Sequence, residues 1–186
     1  LGSRGLGDVY KRQHNHSGDN NASSEAAADP HVWTSLKNAR IIAANMADAL
    51  TEIDPDNAAT YRSNLKRYYH HIDSIDSALT QRFDSLGAER AFAVWHPSLS
   101  YFARDYGLTQ ISVGQESKEV SPLKMREIID DAVADSVHVF FFQREFDSRQ
   151  AQSVSERIGS RLIEIDPLAY DWESQINLIA DEIMQR

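Results

Sequence analysis

The sequence predicts an α/β protein in which helices flank a four-stranded parallel sheet. After residue 87, short apolar segments alternate with helical patterns, and the predicted strands cover residues 91–95, 109–113, 137–142 and 161–165. This alternation is typical of a parallel sheet whose strands are joined by right-handed crossovers. The third segment is apolar on both faces, as expected for a central strand. Two helices, the second of them long, are predicted before the first strand.

The composition allows a folded core and excludes several classes of function. Hydrophobic residues make up 41% of the 186 residues. There are 19 basic and 28 acidic residues, and the net charge of −9 argues against nucleic acid or an anionic membrane as a partner. The chain has no cysteine, which excludes disulfides, thiolate catalysis and cysteine-bound metal sites. No apolar run approaches the roughly 20 residues of a transmembrane helix.

The first 28 residues are expected to lie outside the fold. Residues 1–13 lack an initiator methionine and read like translated vector sequence, so we interpret them as a non-native leader. Residues 14–28 are polar and low in complexity, which predicts a disordered loop. This loop contains His14 and His16, which could contact a metal ion loosely or could equally remain solvated.

Two helices are predicted before the sheet. The first, capped by Thr34 or Ser35, carries an apolar stripe at positions 36, 39, 43, 46, 50 and 53. Asp54 then caps a second helix. Its narrow apolar stripe lies at positions 58, 61, 65, 68, 72, 75, 79 and 86, so this helix could run for ~30 residues, or ~45 Å. A long helix with one narrow apolar stripe suits a strut that joins two lobes.

A histidine follows the first predicted strand directly. His96 stands between this strand and a helix predicted over 97–106, which begins at Pro97 and ends at a left-handed Gly107. In open α/β sheets, ligands bind at the carboxyl edge of the strands. His96 is therefore either a ligand at that edge or a cap of the helix N-terminus.

Three further helices are predicted after the second strand. Ser121 begins the first of them, with apolar residues directed inward at positions 125, 128, 129, 132 and 133. Asp147 caps the next helix, with Gln150 at the capping-box position and Phe146 as the hydrophobic staple. The last helix covers residues 172–184. Each helix therefore fills a crossover of the predicted sheet or follows its last strand.

Polar residues that follow the strands share one edge of the predicted sheet. They are His96, residues 114–119, residues 143–145 and Asp166. His31, next to Trp33, could add a second imidazole from across the long helix. Imidazole and carboxylate ligands without thiolate suit Zn²⁺, with Mn²⁺ or Fe²⁺ as weaker alternatives. Structural readings stay open, because His31 could simply pack against Trp33 and Asp166 could belong to a plain Asp-Pro turn.

Three motifs resemble one known family. They are DPHVWTSLKNA at 29–39, HPSLSYFARDYGL at 96–108 and IDPLAYDW at 165–172. Together, in this order and at these distances, they resemble the zinc-uptake solute-binding proteins of bacterial ABC transporters, the ZnuA/TroA-type family. The resemblance extends from residue 29 to the C-terminus. The HNH stretch at 14–16 is similar to the end of the histidine-rich loop of many zinc members.

The resemblance implies a metal site between two lobes. His31 and His96 would be imidazole ligands and Asp166 the carboxylate ligand. Manganese members tend to carry a carboxylate at the position of His96, so the histidine favours Zn²⁺, with Mn²⁺ possible. Residues 29–53 would end an N-terminal lobe, 54–86 would form the linking helix, and 87–186 would form the C-terminal α/β lobe.

The resemblance also implies a function and a location. The protein would capture zinc as a periplasmic protein or cell-envelope lipoprotein and deliver it to an ABC membrane permease, without being an enzyme. By this resemblance, we expect most of the family's N-terminal lobe, with its metal-binding histidine and the signal sequence, to be missing from the sequence. We therefore expect a fragment with three of the four ligands and weaker zinc binding than in a complete protein.

Other functions are compatible with the same residues. The chain could be a manganese- or iron-binding homologue, or an adhesin-like lipoprotein that binds metal. A metal-dependent hydrolase is a rival from another class, since three ligands and an open position would suit one. Its general base would be Glu116, Glu119 or Glu145, although these could be surface charges and no HExxH-like pairing supports them.

Overall fold

The computed structural model describes residues 28–87, 89–114, 120–146 and 148–185. Its centre is a sheet of four strands, β1 (Ala91–Val94), β2 (Thr109–Ser112), β3 (Val139–Gln143) and β4 (Arg161–Ile165). All are parallel, in the order β2-β1-β3-β4. The predicted fold class is confirmed. The predictions for residues 1–27, including His14 and His16, and for Glu116, Glu119 and Asp147 lie outside the described residues.

Six α-helices are present in the described residues. They are α1 (Leu36–Ile53), α2 (Ala58–Asp84), α3 (Ser100–Tyr106), α4 (Pro122–Ala134), α5 (Ser148–Ile158) and α6 (Trp172–Met184). Side-chain caps begin α1, α4 and α6, where Ser35, Ser121 and Asp171 each accept from a backbone N–H three residues later. Short 3₁₀ turns at Val32–Thr34 and Pro55–Asn57 precede α1 and α2. Within the described ranges, none of the helices is long and apolar enough to cross a bilayer.

The sheet separates two apolar layers. On β1, Phe92 and Val94 face one layer, and Ala91 and Ala93 face the other, as the two-residue period of a strand requires. The first layer is completed by α2, α3, α6 and the beginning of α1. The second layer is covered by α4 and α5. Both faces of the central strands β1 and β3 are therefore buried, which explains their continuous apolar runs.

The long helix α2 packs on the sheet layer only through its second half. Its 27 residues span about 40 Å, and Ile72, Leu79 and Phe83 are buried. The ring centroid of Phe83 lies 5.8 Å from that of Phe102 and 5.2 Å from that of Tyr106 on α3. The predicted stripe is confirmed at Ile72 and Leu79, whereas Phe83 was not part of it.

Tyr106 joins α3 to α2. Its hydroxyl donates to a carboxylate oxygen of Asp76 at 2.8 Å. Burial raises the pKa of Tyr106 well above its usual value, and the bond to Asp76 raises this pKa further. The buried aromatic group therefore stays neutral and keeps its hydrogen bond over the whole physiological pH range.

The predicted stripe of α1 is buried only at its beginning. Leu36 and Ala39 are in the core, whereas Met46 is 60% exposed, Leu50 39% and Ile53 79%. The prediction that the whole stripe packs is therefore wrong for the second half of α1. The helical periodicity is present, but Met46, Leu50 and Ile53 lie on a face that the described elements leave exposed.

The helix after β1 begins later than predicted. It starts at Ser100, because the N–H of Ser98 donates to the carbonyl of His96 at 2.7 Å in a tight turn. The N–H of Leu99 donates to the Gln110 side chain at 2.8 Å. Leu99 is the N-cap residue, so the interpretation of His96 as the cap is wrong. Gly107 ends the helix at φ 65°, as predicted.

Candidate metal site

The turn that carries His31 is fixed against the loop between β4 and α6. The indole N–H of Trp33 donates to the carbonyl of Pro167 at 3.1 Å. In return, the indole N–H of Trp172 donates to the carbonyl of Trp33 at 2.9 Å. The hydroxyl of Thr34 closes the turn by donating to the carbonyl of His31 at 2.9 Å. His31 is only 9% exposed, so its ring has little freedom to move.

His96 lies at the carboxyl end of β1, where the ladder to β3 ends. The N–H of Trp95 still donates to the carbonyl of Phe141 at 2.8 Å. The chain then turns at His96, and its ring stacks on that of Phe146 with centroids 5.5 Å apart and planes 24° apart. The strand therefore sets the position of His96, and the stacked ring sets its plane.

These two histidines face each other. Their Nε2 atoms are 3.0 Å apart, although the residues are 65 positions apart in the chain. The ring planes are nearly perpendicular, at 81°. Two nitrogens that share a tetrahedral zinc ion at 2.0–2.1 Å are about 3.3 Å apart. The observed spacing is within a few tenths of an ångström of that value, so a small opening would let one cation contact both rings.

Asp166 follows β4 and lies one residue from the loop contact with Trp33. Its backbone N–H donates to the side chain of Gln175 at 2.8 Å, and its Oδ1 accepts from the N–H of Leu168 at 3.1 Å. The carboxylate thus caps its own Asp-Pro turn. Across the described residues, no three or more His, Cys, Asp or Glu side chains gather as a metal cluster. The structure therefore brings His31 and His96 together and leaves Asp166 as a predicted ligand.

Asp29 belongs to this site but was not predicted as part of it. Its Oδ1 accepts from the backbone N–H of His31 at 2.9 Å and lies 2.7 Å from His31 Nδ1. From the sequence, Asp29 is interpreted only as an extended residue before Pro30. The signal in the sequence that could have indicated this role is an acidic residue two positions before a candidate ligand, because the side chain of Asp can bond to groups two residues later.

Glu145 is the predicted general base that lies in the described residues. It is exposed in the turn after β3. The neighbouring Gln143 points back into the fold, where its side-chain amide donates to Ser98 Oγ at 3.1 Å. This contact joins β3 to the turn that follows His96, so Gln143 has a supporting position next to the histidine pair.

The family is decided by a match over nearly the whole chain. Residues 3–181 match the family model described as "Zinc-uptake complex component A periplasmic", ZnuA. The chain belongs to the ZnuA family. The match begins within the stretch that we interpret as a non-native leader, and that interpretation stays a prediction.

Relatives of this ZnuA-family chain are named for different metals. The chain is 30% identical over 168 residues to the iron-binding protein YfeA of Yersinia pestis, covering 84% of this chain and 54% of YfeA. It is 29% identical over 131 residues to the manganese ABC transporter substrate-binding lipoprotein scaA of Streptococcus gordonii, covering 69% of this chain and 42% of that protein.

A solved ZnuA structure has the same fold. The crystal structure of a zinc-bound ZnuA deletion mutant superposes with a TM-score of 0.79 at 34% identity, covering 84% of this chain and 60% of that one. The ZnuA-family chain described here therefore spans between two fifths and three fifths of the length of these relatives.

Proposed function

We propose that this chain is part of the substrate-binding component of an ABC-type metal importer, with a divalent cation as its cargo. His31 and His96 supply two imidazole ligands. The observation that carries this proposal is the 3.0 Å approach of their Nε2 atoms across 65 residues of sequence. Membership of the ZnuA family supports it, because the family is described as a zinc-uptake component.

Zinc is the cargo that we propose, with manganese and iron as competing ions. Two imidazole nitrogens and no thiolate suit Zn²⁺ better than they suit Mn²⁺, which prefers oxygen ligands. The relatives are named for zinc, manganese and iron, so family membership alone does not select the metal. The pairing of two histidines supports the choice of zinc.

Asp166 is our proposed third ligand. Its neighbour Pro167 accepts a hydrogen bond from Trp33, which lies two residues from His31. If its carboxylate has to turn to reach a cation, the side-chain bond that it loses is the one from the N–H of Leu168 to Oδ1. The cost is about 1 kcal/mol for one hydrogen bond to a solvent-accessible amide, which is small compared with a metal–ligand bond.

We also propose that the protein acts in the periplasm or at the cell envelope and delivers its metal to a membrane permease. The lipoprotein and periplasmic names in the family support this location. A binding role is favoured over a hydrolytic one. Of the predicted general bases, Glu145 is the one in the described residues, and it is exposed in a turn.

Zinc titration in competition with a chromophoric chelator tests the proposed ligands. His31→Ala and His96→Ala are each expected to weaken zinc binding at least tenfold, because each removes one of few ligands. Asp166→Ala is expected to weaken it as well. His70→Ala removes an exposed histidine on α2 and serves as the matched control, with affinity unchanged.

The titration is repeated in a His14→Ala/His16→Ala background, so that binding by these histidines does not hide the result. Wild-type affinity in both His31→Ala and His96→Ala would contradict the proposed site. Wild-type affinity in Asp166→Ala alone would contradict the third ligand and leave the histidine pair in place.

A further inference from the structure

Asp29 is held next to His31 by several contacts. Its Oδ1 accepts from the backbone N–H of His31 and lies 2.7 Å from Nδ1 of the ring. Its Oδ2 accepts from the hydroxyl of Ser100, and its carbonyl accepts from the hydroxyl of Tyr101 at 2.9 Å. The Asp29 side chain is only 12% exposed. This carboxylate therefore has a fixed position between the His31 turn and the beginning of α3.

We propose that Asp29 is a positioning residue of the metal site, which holds His31 in the tautomer with the proton on Nδ1. This inference rests on the proposed function. An ionised carboxylate can only accept hydrogen bonds, so the neutral ring must carry its proton on the nitrogen that faces Asp29. The lone pair is then on Nε2, the atom that faces His96. Carboxylates orient metal-binding histidines in the same way in other metal sites.

The same geometry sets the direction of the contact between the two rings. Because Nε2 of His31 is an acceptor, the 3.0 Å contact must be donated by Nε2–H of His96 in the metal-free chain. The two histidines are thus expected to be opposite tautomers before a cation binds. This expectation concerns the metal-free protein and can be measured without any metal.

The contacts to α3 explain why Asp29 is suited to this role. Ser100 is the first residue of α3, and Tyr101 is 2% exposed in the core. Asp29 therefore connects the His31 turn to an element that packs directly on the sheet. A ligand oriented from a packed helix needs little reordering when the cation arrives, and preorganisation of this kind increases affinity.

Histidine tautomers are read from two-bond ¹H–¹⁵N correlation spectra of the metal-free full chain. In the wild type, we expect Nδ1–H for His31 and Nε2–H for His96. Asp29→Ala is expected to abolish the preference at His31 and to weaken zinc binding about 10- to 100-fold. Asp29→Asn can still accept from Nδ1–H, so it should keep the tautomer and bind zinc less tightly than the wild type.

The control is Asp73→Ala, which removes an exposed carboxylate from α2 and should change neither measurement. An Nε2–H tautomer of His31 in the wild type would overturn the proposed role. Equal zinc affinity in Asp29→Ala and wild type would also overturn it, and should Asp29→Ala not fold, the tautomer measured in the wild type still decides. No zinc binding by the wild type, with the expected tautomers present, would instead refute the proposed function and leave the positioning role intact.

Discussion

At the scale of single residues, the site depends on how each histidine ring is restrained. His31 is held by Asp29 at Nδ1 and contacts Trp33 edge to face, with centroids 5.5 Å apart. His96 is restrained by stacking on Phe146. Each ring therefore contacts a fixed group on one side and the other histidine at Nε2. Side chains that are already ordered lose little entropy when they bind a ligand.

The Trp33 hydrogen bond gives a prediction for a single atom pair. In Trp33→Phe, the carbonyl of the buried Pro167 loses its hydrogen-bond donor. We therefore expect the free energy of unfolding to fall by about 1–3 kcal/mol. Zinc binding should weaken as well, because the His31 turn is less firmly held near Asp166. Urea denaturation and chelator competition measure the two effects.

Tyr170→Phe is the matched control for that substitution, since Tyr170 is fully exposed on the loop that contains Pro167. It should leave both stability and zinc affinity unchanged. If Trp33→Phe loses stability but binds zinc as the wild type does, the contact is structural and does not position the ligand.

At the scale of elements, α2 illustrates how a long helix is fixed to the lobe. Exposed side-chain contacts connect it to α6, an ion pair of Arg82 with Asp181 at 2.6 Å and an approach of His71 Nε2 to Glu173 Oε2 at 2.7 Å. The buried aromatic contact of Phe83 with α3 contributes far more, because exposed pairs are screened by water. The position of α2 is therefore decided mainly by apolar packing at its C-terminal end.

We expect Phe83→Ala to lower the free energy of unfolding by about 3–5 kcal/mol, the usual cost of removing a buried aromatic ring. Arg82→Ala, one residue earlier on the same helix, should cost less than about 1 kcal/mol. Chemical denaturation monitored by circular dichroism gives both values. Similar losses in the two variants would show that the ion pairs, and not the ring, hold α2 in place.

The start of α3 shows an element boundary that local pattern could not locate. The sequence indicates a helix from Pro97, and the apolar residue Leu99 is buried as expected. The N–H of Leu99, however, donates to Gln110, which comes from β2. A hydrogen bond to another strand therefore takes the place of the first turn of the predicted helix. The residues after His96 form a tight turn instead.

At the scale of the whole molecule, the two ends of the segment 28–53 have different environments. The turn with His31 is fixed to α3 and to the loop after β4. Helix α1 carries the exposed apolar residues Ile41, Met46 and Ile53. The turn at the start of this segment therefore supplies one histidine of the pair, while α1 exposes apolar side chains at the surface.

Metal binding should stabilise the whole molecule if the histidine pair is its site. At a free zinc concentration 100-fold above the dissociation constant, linkage predicts about 2.7 kcal/mol of added stability, seen as a higher melting temperature. The chelator EDTA should reverse the shift. The double variant His31→Ala/His96→Ala should lose most of it, and Mg²⁺ in place of zinc should produce none. A full shift in the double variant would show that zinc binds elsewhere.

The fold class, the bounds of the four strands to within two residues, and helix starts at Thr34 or Ser35 and at Ser121 could all be predicted from the sequence alone. The sequence also indicated His31 and His96 as members of one site. These features are local, or are carried by short motifs, because periodicity and capping depend on residues a few positions apart.

Only the tertiary structure decided which side chains meet. The strand order β2-β1-β3-β4, the role of Gln110 at α3, the exposure of Met46 on α1 and the contact of Asp29 with His31 were not predicted. Each depends on where other elements pack or on which of several rotamers a side chain adopts. The local pattern indicates that a face is apolar or that a residue can form a hydrogen bond. A partner distant in the sequence determines whether that face is covered and whether that bond is formed.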